Sequence, residues 1–192
     1  MKAWHFVGKT LRDGRPIPKD GEKLVHQGKI ELCVSGLHAS IHPFDALRYA
    51  PGMTLCFVEC AGEIKKADDK IVCSERTIIA RMDFSEPLRY FARMQALSVI
   101  HLWEQDPPDV VLDWLMTGNE GLRKEAAHAA YDAYAADSAA YAPAYAADVA
   151  GAADSADAAY AAYDAYAADS AAYAAARDEF EALVDECFEG VR

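Results

Sequence analysis

Apolar residues along the first 83 positions fall into short blocks separated by Gly, Pro and charged residues, and then shift to helical spacing. Residues 2–7 (KAWHFV) predict a strand. Residues 11–28, rich in Gly, Pro and Lys, predict a loop with turns. Residues 29–34 (KIELCV) predict a second strand, and Pro43 predicts the opening of a short helix over 44–49. After the Pro51-Gly52 turn, the near-continuous apolar run 53–60 predicts a strand buried on both faces. Residues 70–82 predict one or two further strands. A helix beginning near Pro87 carries Leu88, Phe91, Ala92, Val99, Leu102 and Trp103 on one stripe, and Asp106-Pro107-Pro108 breaks it. A further short helix over 109–116 ends at Gly118. The pattern predicts an α+β fold: a small mixed or antiparallel sheet followed by helices, with a domain boundary at 118.

From residue 119 the pattern changes. Between Ala126 and Ala176, 29 of 51 residues are alanine, the best helix former, so helix is the expected state. Pro143 and Gly151 are the expected breaks. Residues 129–142 recur identically at 161–174. Tyr131, Tyr134, Tyr141 and Tyr145 form one stripe, repeated by Tyr163, Tyr166 and Tyr173. Alanine buries little area, so the tyrosines are expected to supply the contact that holds an antiparallel helical hairpin together. Asp137 and Asp169, four residues before Tyr141 and Tyr173, are placed to accept hydrogen bonds from them. Phe180, Leu183, Val184, Cys187 and Phe188 follow helical spacing and predict an amphipathic helix docking on the N-terminal domain or on helix 109–116.

Charge divides the chain in the same place. The net charge is −12, and residues 128–192 hold 13 acids against Arg177 and Arg192. The first 127 residues hold 18 acids and 17 bases. An acidic array repels nucleic acid and membrane surfaces and attracts basic proteins. Its candidate binding residues are Asp132, Asp137, Asp148, Asp154, Asp157, Asp164 and Asp169, with Tyr131, Tyr134, Tyr163 and Tyr166. Scaffolding or self-association is the other use of such an array. The alanine content also resembles alanine-rich antifreeze helices, but the array lacks the threonine those carry. Five cysteines, an odd count without C-x-x-C, predict buried reduced thiols; Cys56 and Cys60 share a strand face. With no apolar leader and no long uncharged apolar window, the expectation is a soluble cytoplasmic protein.

No phosphate-binding loop, dinucleotide fingerprint or zinc-protease motif is present. His38 and His42 stand four apart, but Pro43 follows and no further ligand is placed, so no metal site is expected. Lys2-Ala3-Trp4, Gly36-Leu37-His38-Ala39, the helix at 44–50, Val58-Glu59-Cys60-Ala61-Gly62 and Asp69-Lys70-Ile71 resemble, over residues 1–83, a family of unknown function common in bacteriophage and prophage genomes. Members of that family have variable, often alanine-rich C-terminal regions. A more distant resemblance is to ADP-ribosyltransferases. It implies His5, His38, Ser40, Tyr49 and Glu75 as catalytic candidates and NAD as co-substrate, Glu75 stabilising a cationic sugar in the transition state. The motif departs from that family: Cys73-Ser74-Glu75 has Cys where those enzymes carry an acidic or amide residue.

These readings converge on a phage-type accessory protein without a cofactor. It would act by binding a protein with a basic surface, such as a nucleic-acid-binding host-defence effector of the CRISPR kind. The alternatives are an NAD-dependent ADP-ribosyltransferase acting on a host protein and a structural protein that self-associates through the array.

Overall fold

The computed structural model describes residues 1–98, 100–103, 106–136 and 170–191. Five strands, β1 (Lys2–Val7), β2 (Lys23–Val25), β3 (Leu37–Ala39), β4 (Thr54–Lys66) and β5 (Ile71–Asp83), form one sheet in which every pairing is antiparallel. Among the described residues the helices are α1 (Pro43–Leu47), α2 (Ser85–Ser98), α3 (Asp109–Thr117), α4 (Arg123–Ala136) and α5 (Ser170–Cys187), with a 3-10 turn at Ile100–Leu102. The α+β class is therefore as expected. Contacts group the chain into two compact units, Met1–Phe84 with Phe180–Arg192, and Ser85–Glu179. Among the described residues no helix is long and apolar enough to cross a membrane.

In the first unit the long β4–β5 hairpin is the spine. β1 pairs with β4, while β3 and β2 pair in turn along β5. Trp4 and Ser40 exchange backbone hydrogen bonds of 2.7 and 2.9 Å, so β1, β4, β5 and β3 close into a ring. Two register shifts interrupt β4–β5. At the second, Gly62 takes φ +71 and two β4 residues oppose one on β5, a bulge that sharpens the local twist. A Cβ at Gly62 would stand 2.1 Å from Ser74 Oγ. That same oxygen accepts the Glu63 amide hydrogen at 2.9 Å.

Two strand expectations are corrected. Residues 29–34 form no strand: Glu31 and Ser35 exchange backbone hydrogen bonds of 2.8 and 2.9 Å across a tight turn, with Cys33 in the left-handed region at φ 65. The turn precedes β3, which supplies the pairing instead. Within the expected loop 11–28, β2 forms because the free edge of β5 needs backbone partners. Within the run 53–60, Leu55, Cys56, Phe57, Val58 and Cys60 are buried as expected, at 8% exposure or less, whereas Glu59 is exposed.

Alternation along β1 gives the sheet two different faces. Trp4 and Phe6 point into an aromatic cluster. Trp4 meets Phe57 at 4.8 Å and Phe188 at 5.0 Å, Phe6 meets Phe84 at 6.4 Å, and Phe180 meets Phe44 at 5.8 Å and Phe84 at 5.9 Å. The C-terminal amphipathic segment thus packs on the N-terminal sheet unit, one of its two expected docking places.

In the second unit, Ala92 and Ala96 of α2, Val111, Trp114 and Leu115 of α3, and Ala126 and Ala130 of α4 form one core with Trp103. Small alanines let the helices approach, and the indoles supply the volume. Gly118 caps α3 in the left-handed conformation, its N–H reaching the Trp114 carbonyl at 2.8 Å. Arg93 donates to the Leu115 carbonyl at 2.8 Å, satisfying another helix-end acceptor. The described part of α4 buries alanines in this core, while the hairpin that the tyrosines are expected to hold lies outside the described residues. Ala126 and Ala130 are at most 1% exposed, whereas Tyr131 is 55% exposed. The helix turns its smallest side chains inward because its partners already carry two tryptophans. Residues 137–169, with the proposed hairpin, the expected breaks at Pro143 and Gly151, and most of the Tyr and Asp ladder, lie outside the described residues, as do the Tyr134 and Tyr173 side chains.

Candidate functional site

The sheet face opposite the aromatic cluster carries a second apolar core, which includes Ala3, Val7, Leu37, Ala39, Val58 and Ile71, and two polar side chains, His5 and Arg76, are set into it. His5 of β1 stands opposite Cys56 of β4, and Cys60 of β4 opposite Arg76 of β5. His5, Val7, Leu37, Ala39 and Arg76 line a cavity of about 930 Å³. Arg76 is 5% exposed. Its Nη1 donates to the His38 carbonyl. Among the described residues no carboxylate lies within ion-pair distance of it.

Three segments wall the cavity. After β1, the turn closed by Leu11 N–H to Arg15 O (2.8 Å) and Gly14 N–H to Leu11 O (2.9 Å) presents Arg12, Asp13 and Arg15. Asp13 is the one carboxylate among the lining residues described, and Arg15 occupies it at 2.7 Å. Arg12 Nη1 lies 3.4 Å from the Cys33 carbonyl. The second wall is the turn before β3 together with His38. His38 Nε2 accepts the Cys33 amide hydrogen at 2.9 Å, which places the ring proton of the neutral imidazole on Nδ1. Gly36 makes the close approach possible. Its φ is +115, and a Cβ there would stand 2.5 Å from Val72 Cγ2. The third wall holds Tyr49 and Lys70. Lys70 Nζ donates to the Tyr49 hydroxyl at 2.7 Å, sits 4.3 Å from its ring centroid and lies 3.4 Å from Cys33 Sγ. The Tyr49 hydroxyl donates to Asp69.

Electrostatics follow from this geometry. Burial, then the positive charge of Arg76 and the neighbouring His38, hold His5 well below the ordinary imidazole value. Burial lowers His38 as well; a backbone hydrogen bond at Gly36 opposes the shift, and Arg12, Arg76 and Lys70 add to it. Both rings are neutral at pH 7. Burial lowers Arg76, and the thiols of Cys60, Cys73 and Cys56 beside it oppose that shift. Burial pushes Cys56 up to about 11. Cys60 is raised by its hydrogen bond to Cys73, which is lowered by the same bond. The Cys73 sulfur also lies 3.3 Å from the Leu37 carbonyl oxygen, a contact that suits the protonated thiol.

Four of the five candidates carried by the ADP-ribosyltransferase resemblance meet here: His5, His38, Ser40 and Tyr49 all line the cavity. Glu75 does not. It precedes Arg76 on β5, so it leaves from the opposite face, where Lys23 Nζ holds it at 2.8 Å. His42 is occupied elsewhere, its Nδ1 2.9 Å from Glu181 Oε1. Of the array residues, Tyr131 and Asp132 lie exposed on α4, and Asp137, Asp148, Asp154, Asp157, Asp164, Asp169, Tyr163 and Tyr166 lie outside the described residues. Among the described residues no cluster of His, Cys, Asp or Glu is arranged to hold a metal ion. Sequence reasoning missed Arg76, Lys70, Arg12 and Lys9. The sequence offered little signal for Arg76, which stands among Ser74, Glu75 and Thr77; its burial is what marks it out, since an unpaired buried guanidinium is costly.

Residues 1–89 match the model of a domain of unknown function (DUF7666). The match covers the stretch that carried the resemblance to a family of unknown function. No curated protein and no solved structure matches the chain.

Proposed function

We propose that the first unit is a binding module for a small anionic ligand, held in the cavity above Arg76. The buried guanidinium carries this reading. Removing a charge from water costs several kcal/mol unless a partner compensates it. Arg76 has one backbone carbonyl and no carboxylate, and it opens onto a space large enough for an organic ligand. A ligand anion completes the ion pair. The test is calorimetry of the full chain against a panel of carboxylates, phosphates and NAD, in wild type and Arg76→Gln. Binding of at least one anion that is lost in the variant supports the module. An empty panel, or affinity unchanged in the variant, overturns it.

A catalytic use of the cavity with NAD needs a carboxylate near the reacting centre. Glu75 on the far face does not supply it, so NAD enters the panel as a ligand only.

A second reading rests on charge. The excess of aspartate after residue 128 favours a protein partner with a basic surface, such as a nucleic-acid-binding host-defence effector. Capture of such a partner should weaken as salt rises and fail when the array's aspartates are changed to asparagine. Capture that survives both changes refutes this reading.

A further inference from the structure

We infer, resting on the cavity reading above, that the ligand is an organic molecule bearing a chain of two or more phosphates. Five cationic side chains line the cavity: Lys9, Arg12, Arg15, Lys70 and Arg76. Arg15 is neutralised by Asp13 at 2.7 Å, and Lys70 has Asp69 at 3.8 Å and the Tyr49 hydroxyl at 2.7 Å. That leaves Lys9, Arg12 and Arg76 without a carboxylate partner among the described residues. One of the three is buried on β5, and the other two are exposed on the loop that follows β1. Cations distributed from floor to rim call for an extended anion rather than a point charge.

Charge magnitude separates the candidates. A carboxylate supplies one negative charge, and a terminal phosphate about 1.5 to 2 at neutral pH. Three cations exceed either. A diphosphate or triphosphate matches the number, and guanidinium groups bind phosphate oxygens bidentately. The remaining lining gives the ligand an organic part. Leu11, Ile17, Val34 and Ala46 contribute apolar wall, and Val34 is 64% exposed beside the exposed Cys33. An exposed valine at a cavity lined by cations is apolar surface available to a ligand group beyond the phosphates.

The experiment is calorimetry of the full chain at constant ionic strength with four probes: inorganic phosphate, pyrophosphate, tripolyphosphate and ADP. Wild type is compared with the double variant Lys9→Gln/Arg12→Gln and with Arg76→Gln. Pyrophosphate and tripolyphosphate are expected to bind at least tenfold more tightly than phosphate. The double variant is expected to erase that advantage, bringing pyrophosphate and tripolyphosphate down to the affinity of phosphate, and Arg76→Gln to abolish all four. ADP binding tenfold more tightly than pyrophosphate marks the apolar wall as part of the site. Equal affinity of the two overturns the organic ligand in favour of inorganic polyphosphate. Phosphate binding as tightly as pyrophosphate overturns the inference while leaving the anion-binding module standing. Failure of all four probes alongside binding of a carboxylate does the same. Failure of every anion overturns both. Circular dichroism of each variant confirms that lost binding is not lost folding.

Discussion

His42 Nδ1 and Glu181 Oε1 stand 2.9 Å apart, joining residues separated by 139 positions. The pair marks where the C-terminal segment returns to the sheet unit. Its side chains are 44% and 32% exposed, so solvent screens it and the pair contributes less than about 1 kcal/mol. The packing beside it matters more. Phe180 is fully buried between Phe44 and Phe84. Phe180→Ala is therefore expected to cost about 3–5 kcal/mol in urea unfolding, as large aromatic truncations in cores do. His42→Ala should cost under about 1 kcal/mol. Equal losses in the two variants would mean that the aromatic cluster does not anchor the segment.

Gly36 separates the turn at 31–35 from β3. At φ +115 an L side chain is strained, and an added Cβ would meet Val72 and Ile30 side chains at 2.5 and 3.2 Å. Gly36→Ala should lower stability by about 1–3 kcal/mol from backbone strain alone, and more if the clash is not relieved. The contrasting substitution is Gly28→Ala, where φ is also positive, at +105, but nothing lies within 4 Å of the added Cβ. Thermal melts of the pair separate the two contributions: the difference between them measures the clash. A Gly36→Ala protein as stable as Gly28→Ala would show that Val72 and Ile30 yield freely.

Gly36 also shows what was legible in the sequence and what was not. The segment Gly36-Leu37-His38-Ala39 was readable as a motif, and the structure gives its physical meaning: a glycine that must lack Cβ, then a three-residue strand with Leu37 and Ala39 buried. Long apolar periodicity at β4, β5, α2 and α3 was legible because burial imposes it directly. β2 was not, since three residues at a sheet edge are held by backbone pairing to β5 and leave little pattern in their side chains. Nor was the failure of residues 29–34 to form a strand, where β-branched and apolar residues are overridden by a turn whose hydrogen bonds close on themselves. At the cavity, His5, His38, Ser40 and Tyr49 were found through a resemblance, whereas Arg76 became visible only when its burial and missing carboxylate were known. Glu75 and Arg76 are neighbours in sequence, and strand alternation alone sends one to Lys23 and the other to the cavity.

The histidines make stability depend on pH with a definite sign. Burial lowers the folded-state values of His5 and His38 below the unfolded value of about 6.5. Below that value the unfolded chain takes up protons that the folded chain resists. Their contribution is present above about pH 6.5 and is lost as pH falls from there toward the folded-state values. Urea unfolding should show stability declining between pH 7.5 and 5.5, with a shallower decline in His5→Gln. A ligand anion acts oppositely on the same rings. It favours their protonated forms, so anion affinity should rise as pH falls through this window, provided the ligand's own protonation is held apart by choosing a strong acid such as sulfate. Affinity that falls on acidification would place the histidines away from the bound charge.

Arg76 should separate stability from binding. A buried guanidinium with a single carbonyl acceptor is a burden on the ligand-free fold, and replacing a buried charge by an apolar side chain of similar length is often neutral or stabilising. Arg76→Met is expected to leave the ligand-free protein at least as stable as wild type, by up to about 1–4 kcal/mol if the desolvation penalty is fully relieved. The hydrogen bond lost to the His38 carbonyl offsets part of that gain, by about 1.5–3 kcal/mol for a charged donor. Anion binding should disappear in the same variant. Chemical denaturation in the absence of ligand, paired with calorimetry, reads both quantities. A variant that loses several kcal/mol of stability would show that Arg76 serves the fold through its backbone contact, with its surroundings already compensating the charge.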